Sequence, residues 1–195
     1  MFSVLGGVQP GTKSLADITF RVANYYLAPG GLSLTESEIG LVGRPDREHV
    51  LAQALATATG FDYILLDCPP SLGLLTVNAL TSARYVIIPV QPEFLALRGL
   101  AMMNTTIKRV QREFNPQLAT LGVVASFYDP RLIHQREVIT AIEEQGFPVL
   151  AKINRSIRFA ESALAGEHIT TYAPEIPGAL AFLQLADKVE VLTNE

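Results

Sequence analysis

The feature that most constrains this chain is a series of short, uninterrupted apolar runs separated by amphipathic stretches. Tyr63-Ile64-Leu65-Leu66, Tyr85-Val86-Ile87-Ile88-Pro89-Val90, Leu121-Gly122-Val123-Val124-Ala125 and, more weakly, Val149-Leu150-Ala151-Lys152-Ile153 have the length of strands covered on both faces. Segments with apolar residues at three-and-four spacing alternate with them, roughly Ser71 to Ala83, Leu95 to Phe114, His134 to Gln145 and Gly178 to Leu192. Such alternation predicts an α/β fold: a mostly parallel sheet with flanking helices and right-handed crossovers. A further helix over His49 to Ala58 feeds the first run. The first 48 residues are broken by Pro10-Gly11, Pro29-Gly30-Gly31 and Gly43-Arg44-Pro45. They predict one helix from Ser14 or Leu15 to about Tyr26 and a short strand near Ile39 to Val42.

Size and composition narrow the class. The 195 residues suit one domain spanning 1–195, and 49% apolar against 17% charged residues excludes a disordered chain. The richest apolar stretch, Val86 to Met103, is broken by Pro89, Gln91, Pro92, Glu93 and Arg98, so no membrane span is expected. The first residues, Met-Phe-Ser-Val-Leu-Gly-Gly, lack the basic and apolar regions of a signal peptide, which predicts a cytoplasmic protein. Cys68 stands alone, which excludes an intrachain disulfide and a multi-thiolate metal site; it reads as a small buried residue.

The net charge of −4 argues against a uniformly basic nucleic-acid binder, but the charge is uneven. Residues 98–158 hold nine basic and five acidic side chains, the basic ones including Arg131, Arg155 and Arg158. This stretch is either a set of solvated helix faces or a surface for phosphates.

The segment with most chemical content is Phe61-Asp62-Tyr63-Ile64-Leu65-Leu66-Asp67-Cys68-Pro69-Pro70-Ser71, an apolar run ending in a carboxylate. An acidic residue at the carboxyl end of a parallel strand lies where open α/β sheets bind ligands. In P-loop nucleotide hydrolases, an aspartate so placed serves Mg²⁺ or its water shell. The alternative is an aspartate that caps a turn. The two prolines end any ladder and leave Ser71 to cap the next helix. A phosphate loop should accompany such an aspartate. Gly6-Gly7-Val8-Gln9-Pro10-Gly11-Thr12-Lys13-Ser14 comes near, but Thr12 separates Gly11 from Lys13 and the preceding residues are too few for a buried strand.

Asp67-Cys68-Pro69-Pro70-Ser71-Leu72-Gly73-Leu74-Leu75-Thr76-Val77-Asn78-Ala79-Leu80 resembles the Walker B segment of ParA/Soj-type partition ATPases, a deviant-Walker P-loop family. Four further segments resemble the family in order: Ile88 to Leu100, Phe127 to Arg131 with Glu137-Val138, Ile153 to Ser162, and Pro174 to Ala181. Arg98 stands where the family often has Glu, and Asn154 replaces its usual proline.

The resemblance implies a P-loop NTPase-like fold, here expected to lack the amino-terminal strand and Walker A loop, whether as a truncated reading frame or as a natural remnant. It implies ATP and Mg²⁺ as cofactors of the intact family, with ATP not bound by this chain alone. By residue match Asp67 is the catalytic, Mg²⁺-side carboxylate; Asn154, Arg155, Ser156 and Ile157 lie on the adenine side; and Arg131, Arg155 and Arg158 face DNA. The implied partners are a second copy in a homodimer, non-specific DNA and a centromere-binding ParB/Spo0J-type protein, with no membrane. The implied setting is the nucleoid, and the implied function is chromosome or plasmid segregation. A non-catalytic DNA-binding or dimerisation module and a small-molecule ligase or reductase of the same superfamily are the alternatives.

Overall fold

The structure is a computed structural model that describes residues 15–22, 24–30 and 38–194. The chain divides into two compact units, residues 1–84 with 105–118, and residues 85–104 with 119–195.

In the first unit, helix α1 (Leu15–Ile18) is followed by an antiparallel hairpin of β1 (Phe20–Val22) and β2 (Tyr25–Leu27). The long helix expected from Ser14 or Leu15 to Tyr26 is therefore one turn only. Phe20, Val22, Tyr25 and Tyr26 favour pleated backbone, and a two-residue connection between the paired Val22 and Tyr25 suits a tight hairpin. The expected strand at Ile39 to Val42 is corrected too, since residues 38–41 are helical and Leu41 is fully buried. Helices α2 (Val50–Leu55) and α3 (Leu74–Ser82) complete a small core of Leu41, Val50, Leu51, Leu75 and Ala79.

Asn78, fully buried on α3, ties this unit together. Its Oδ1 accepts from the Leu51 amide at 3.1 Å, and its Nδ2 donates to the carbonyls of Arg47 (2.8 Å) and Leu74 (3.0 Å). The other end of α3 is closed by Asn115, whose Nδ2 donates to the carbonyls of Leu80 (3.0 Å) and Ala83 (2.7 Å).

The second unit carries the sheet. Strands β3 (Tyr85–Val90), β4 (Ala119–Tyr128) and β5 (Val149–Asn154) lie in the order β3-β4-β5 and are all parallel. Helix α4 (Phe94–Glu113) follows β3 and contributes residues to each unit, while α5 (Ile133–Glu144) connects β4 to β5. Helices α6 (Arg158–Ala165), α7 (Ile169–Tyr172) and α8 (Pro177–Asn194) close the chain. Alternate residues of the central strand face opposite sides. Val124 joins Leu150, Ile153 and the α6 and α8 residues Phe159, Ala181 and Leu185. Ala125 joins Tyr128 and Ile139 of α5 on the other side. The predicted α/β architecture of parallel sheet and flanking helices is thus observed.

The run Tyr63 to Leu66 is not a strand. Among the described residues it pairs with no strand, and Tyr63, Ile64 and Leu65 are 48%, 46% and 90% exposed. Only Leu66 packs on the Leu41–Leu75 core. An apolar run makes a strand only where a neighbour supplies ladder hydrogen bonds.

Candidate functional site

Asp67 follows this unpaired run, exposed, and takes part in no ion pair among the described residues. Cys68 beside it is exposed rather than buried as expected, because its segment leaves the core after Leu66. Desolvation of the sulfur first, and the Asp67 carboxylate second, push its thiol up, so it is a poor nucleophile. Ser71 does not cap α3. The cap position is Gly73, and the Glu38 carboxylate accepts from the Leu74 amide at 2.6 Å; the Ser71 carbonyl is instead taken by the Thr76 hydroxyl, also at 2.6 Å. An acidic group at a helix N-terminus satisfies an orphan donor and complements the dipole, whatever its distance in sequence.

The second unit holds a cleft of about 260 Å³ at the carboxyl ends of its three strands, lined by Gln91, Pro92, Glu93, Phe127, Gln135 and Arg155. Parallel sheets bind ligands at this end because loops there diverge around the strand termini. Phe127, half-exposed at the cleft, has φ +55°, a conformation a bulky side chain adopts only under constraint. Gln135 is 5% exposed; its Oε1 accepts from the Asp129 amide at 2.8 Å and its Nε2 donates to Glu93 Oε1 at 3.2 Å.

The adenine-side candidates form the exit from β5. Asn154 ends the strand and donates through Nδ2 to the Tyr128 carbonyl at 3.4 Å. Arg155 reaches the cleft, the Ser156 hydroxyl accepts from the Arg158 amide at 3.2 Å, and Ile157 is 73% exposed. The three DNA candidates differ. Arg131 holds Asp129 with both ends of its guanidinium, at 3.0 and 2.7 Å, and Arg158 pairs with Glu161 at 2.8 Å. Arg155 has no ion pair among the described residues.

The near-miss loop at Gly6 to Ser14 lies outside the described residues. No group of three or more His, Cys, Asp or Glu side chains is arranged for a metal among the described residues. A lone exposed carboxylate such as Asp67 is compatible with Mg²⁺, which keeps most of its waters and takes one or two protein oxygens.

A sequence profile described as an AAA domain matches residues 3–120. The chromosome-partitioning ATPase Soj of Thermus thermophilus is 36% identical over 185 residues, 94% of this chain and 73% of that protein. The chain belongs to the ParA/Soj family of P-loop ATPases. A Mycobacterium tuberculosis protein is 44% identical over 169 residues, 85% of this chain and 53% of that protein; the chain therefore spans about half the length of that relative. The crystal structure of a cobyrinic acid a,c-diamide synthase from Mycobacterium smegmatis, with a bound ATP analogue and magnesium, matches with a TM-score of 0.79. That match has 34% identity and covers 98% of this chain and 70% of the synthase.

Within this ParA/Soj chain, Asp67 belongs to the first unit, and the cleft and the three arginines to the second. Of the residues lining the cleft, Arg155 is a candidate from sequence, whereas Gln135 and the constraint at Phe127 are not. Gln135 sits on a helix whose spacing marks only a buried face, and a positive φ at phenylalanine leaves no sequence signal. Glu93 and Phe127 did lie in segments resembling the family, so the neighbourhood could be found though not its wiring. No helix among the described residues is long and apolar enough to cross a membrane.

Proposed function

We propose that this chain is a partition protein of the ParA/Soj type, folded as one P-loop NTPase-like domain over residues 1–195. In the intact protein, Mg-ATP closes a homodimer that binds DNA without sequence preference and moves a chromosome or plasmid together with a centromere-binding ParB/Spo0J-type partner. The protein acts in the cytoplasm, on the nucleoid. The observation that carries this reading is the identity with Soj over 94% of the chain. The ligand-binding end of the sheet supports it by presenting an unpaired arginine.

The residues divide the work. Asp67 would hold Mg²⁺, which would neutralise the phosphoryl charge when bound. Asn154, Arg155, Ser156 and Ile157 border the base. Arg131, Arg155 and Arg158 meet DNA phosphates. The 195 residues contain no Gly-x-x-x-x-Gly-Lys-Ser/Thr, the sequence that cradles β- and γ-phosphates in P-loop hydrolases, and the expectation is that these residues alone do not hydrolyse ATP. The alternative reading is a non-catalytic DNA-binding or dimerisation module derived from the same family.

A salt series of duplex binding tests the reading. Each phosphate neutralised contributes about 0.9 to the slope of log affinity against log salt. Arg155→Ala should remove about that amount. Arg131→Ala and Arg158→Ala should remove less, because Asp129 and Glu161 already offset those charges. Binding that Mg-ATP leaves unchanged fits the module; no duplex binding at low salt overturns the DNA assignment.

A further inference from the structure

Two carboxylates neutralise two of the candidate arginines, yet Glu93 lines the same cleft as Arg155 and forms no ion pair with it. The reason is visible in what holds Glu93. Its Oε1 accepts from Gln135 Nε2 at 3.2 Å, and its Oε2 stands 3.3 Å from His134 Nε2. Both oxygens are directed to α5. Gln135 is the buried member of this arrangement, and its other end is fixed by the Asp129 amide at 2.8 Å. One neutral side chain therefore ties the loop after β3 to the turn after β4, on either side of the cleft. Phe127, held at φ +55° two residues before Asp129, lies near the end of β4, just before that turn.

We propose that Gln135 is a positioning residue that keeps Glu93 from neutralising Arg155, leaving the cleft a site for a phosphate oxyanion. This rests on the reading that Arg155 meets phosphate, whether of a nucleic-acid backbone or of a nucleotide. A phosphate oxygen entering the cleft meets an unpaired guanidinium, a charge-assisted contact with the geometry arginine favours. A released Glu93 carboxylate would compete for that guanidinium from within the same cleft, where an intramolecular partner outcompetes a dilute anion.

The test is a titration of the whole chain with inorganic tripolyphosphate and, separately, with a short mixed-sequence DNA duplex. The Arg155 Nε–H resonance and the dissociation constant are followed together. Gln135→Leu should weaken the response by about tenfold, the equivalent of one charge-assisted contact. Gln135→Glu, which can still accept from the Asp129 amide but repels Glu93, should weaken it similarly and guards against a packing defect in the leucine variant. Adding Glu93→Gln to either should restore binding to near wild type, which a merely structural role for Gln135 would not permit. Loss without rescue, or no loss in either Gln135 variant while Arg155→Ala abolishes the response, overturns the positioning role alone. Equal binding by wild type and Arg155→Ala overturns the phosphate reading beneath it. The probe that moves the resonance identifies the source of the phosphate.

Discussion

Asp129 shows how a single side chain can report on the basic surface. The Arg131 guanidinium first, and the Arg131 backbone amide second, hold its carboxyl down from an ordinary 3.8 to about 2. A carboxyl whose folded value is lowered supports the fold while it is ionised in both states. That support is complete above the unfolded value and fades as the pH falls from 3.8 through about 2. Arg131 is exposed and Asp129 only partly buried, so the effect on global stability is small and screened by salt. The pair itself is measurable: Arg131→Ala should return the Asp129 midpoint to the ordinary carboxylate range in a carbon-detected NMR titration. An unshifted midpoint in the wild type would mean that the pair does not hold in solution, and that Arg131 is as available to phosphate as Arg155.

At the scale of elements, two contacts between residues distant in sequence carry more than local propensity does. Asn78 serves the Leu51 amide and two carbonyls from a fully buried position. Asn78→Leu orphans these groups and should cost about 1–3 kcal/mol, read as a lower urea midpoint at unchanged slope. Gly122 in β4 has φ +150°, and a Cβ there would run into the Pro148 carbonyl oxygen, which already accepts from the Val123 amide at 2.8 Å. Gly122→Ala should therefore destabilise by about 1–3 kcal/mol in the same assay. A neutral result at Gly122 would mean the bulge in β4 relaxes at no cost.

These elements also mark what could be read in advance. Strands β3, β4 and β5 and helices α4, α5 and α8 were legible because each buries a continuous or periodic apolar set, and periodicity is a local property. The run at Tyr63 to Leu66 misled because its strand character depends on a partner elsewhere. The cap of α3 was misassigned to Ser71 because Glu38 acts from 36 positions away. Helix α6 was missed because its signal is short and follows directly on β5. Sequence also singles out Arg131, Arg155 and Arg158 as candidates, but whether each arginine is paired depends on side-chain geometry.

For the whole molecule, edges decide behaviour in solution. Within the second unit β3 pairs, among the described strands, with β4 alone, so its other edge carries backbone groups without a ladder partner. In the first unit, residues 61–65 add Phe61, Tyr63, Ile64 and Leu65 as exposed apolar side chains outside any helix or strand. An unpaired strand edge and an exposed apolar segment are each a template for pairing with another chain, and water satisfies such an edge only while the chain stays dilute. The isolated chain should therefore self-associate with rising concentration in sedimentation velocity, with a broad rather than a single boundary. Leu65→Lys, at a position already 90% exposed, should suppress that association without lowering the urea midpoint, because the charge is placed in water and removes no core contact. A sharp monomer boundary at every concentration would show that neither edge is available, and that the run at Tyr63 to Leu66 is shielded in solution.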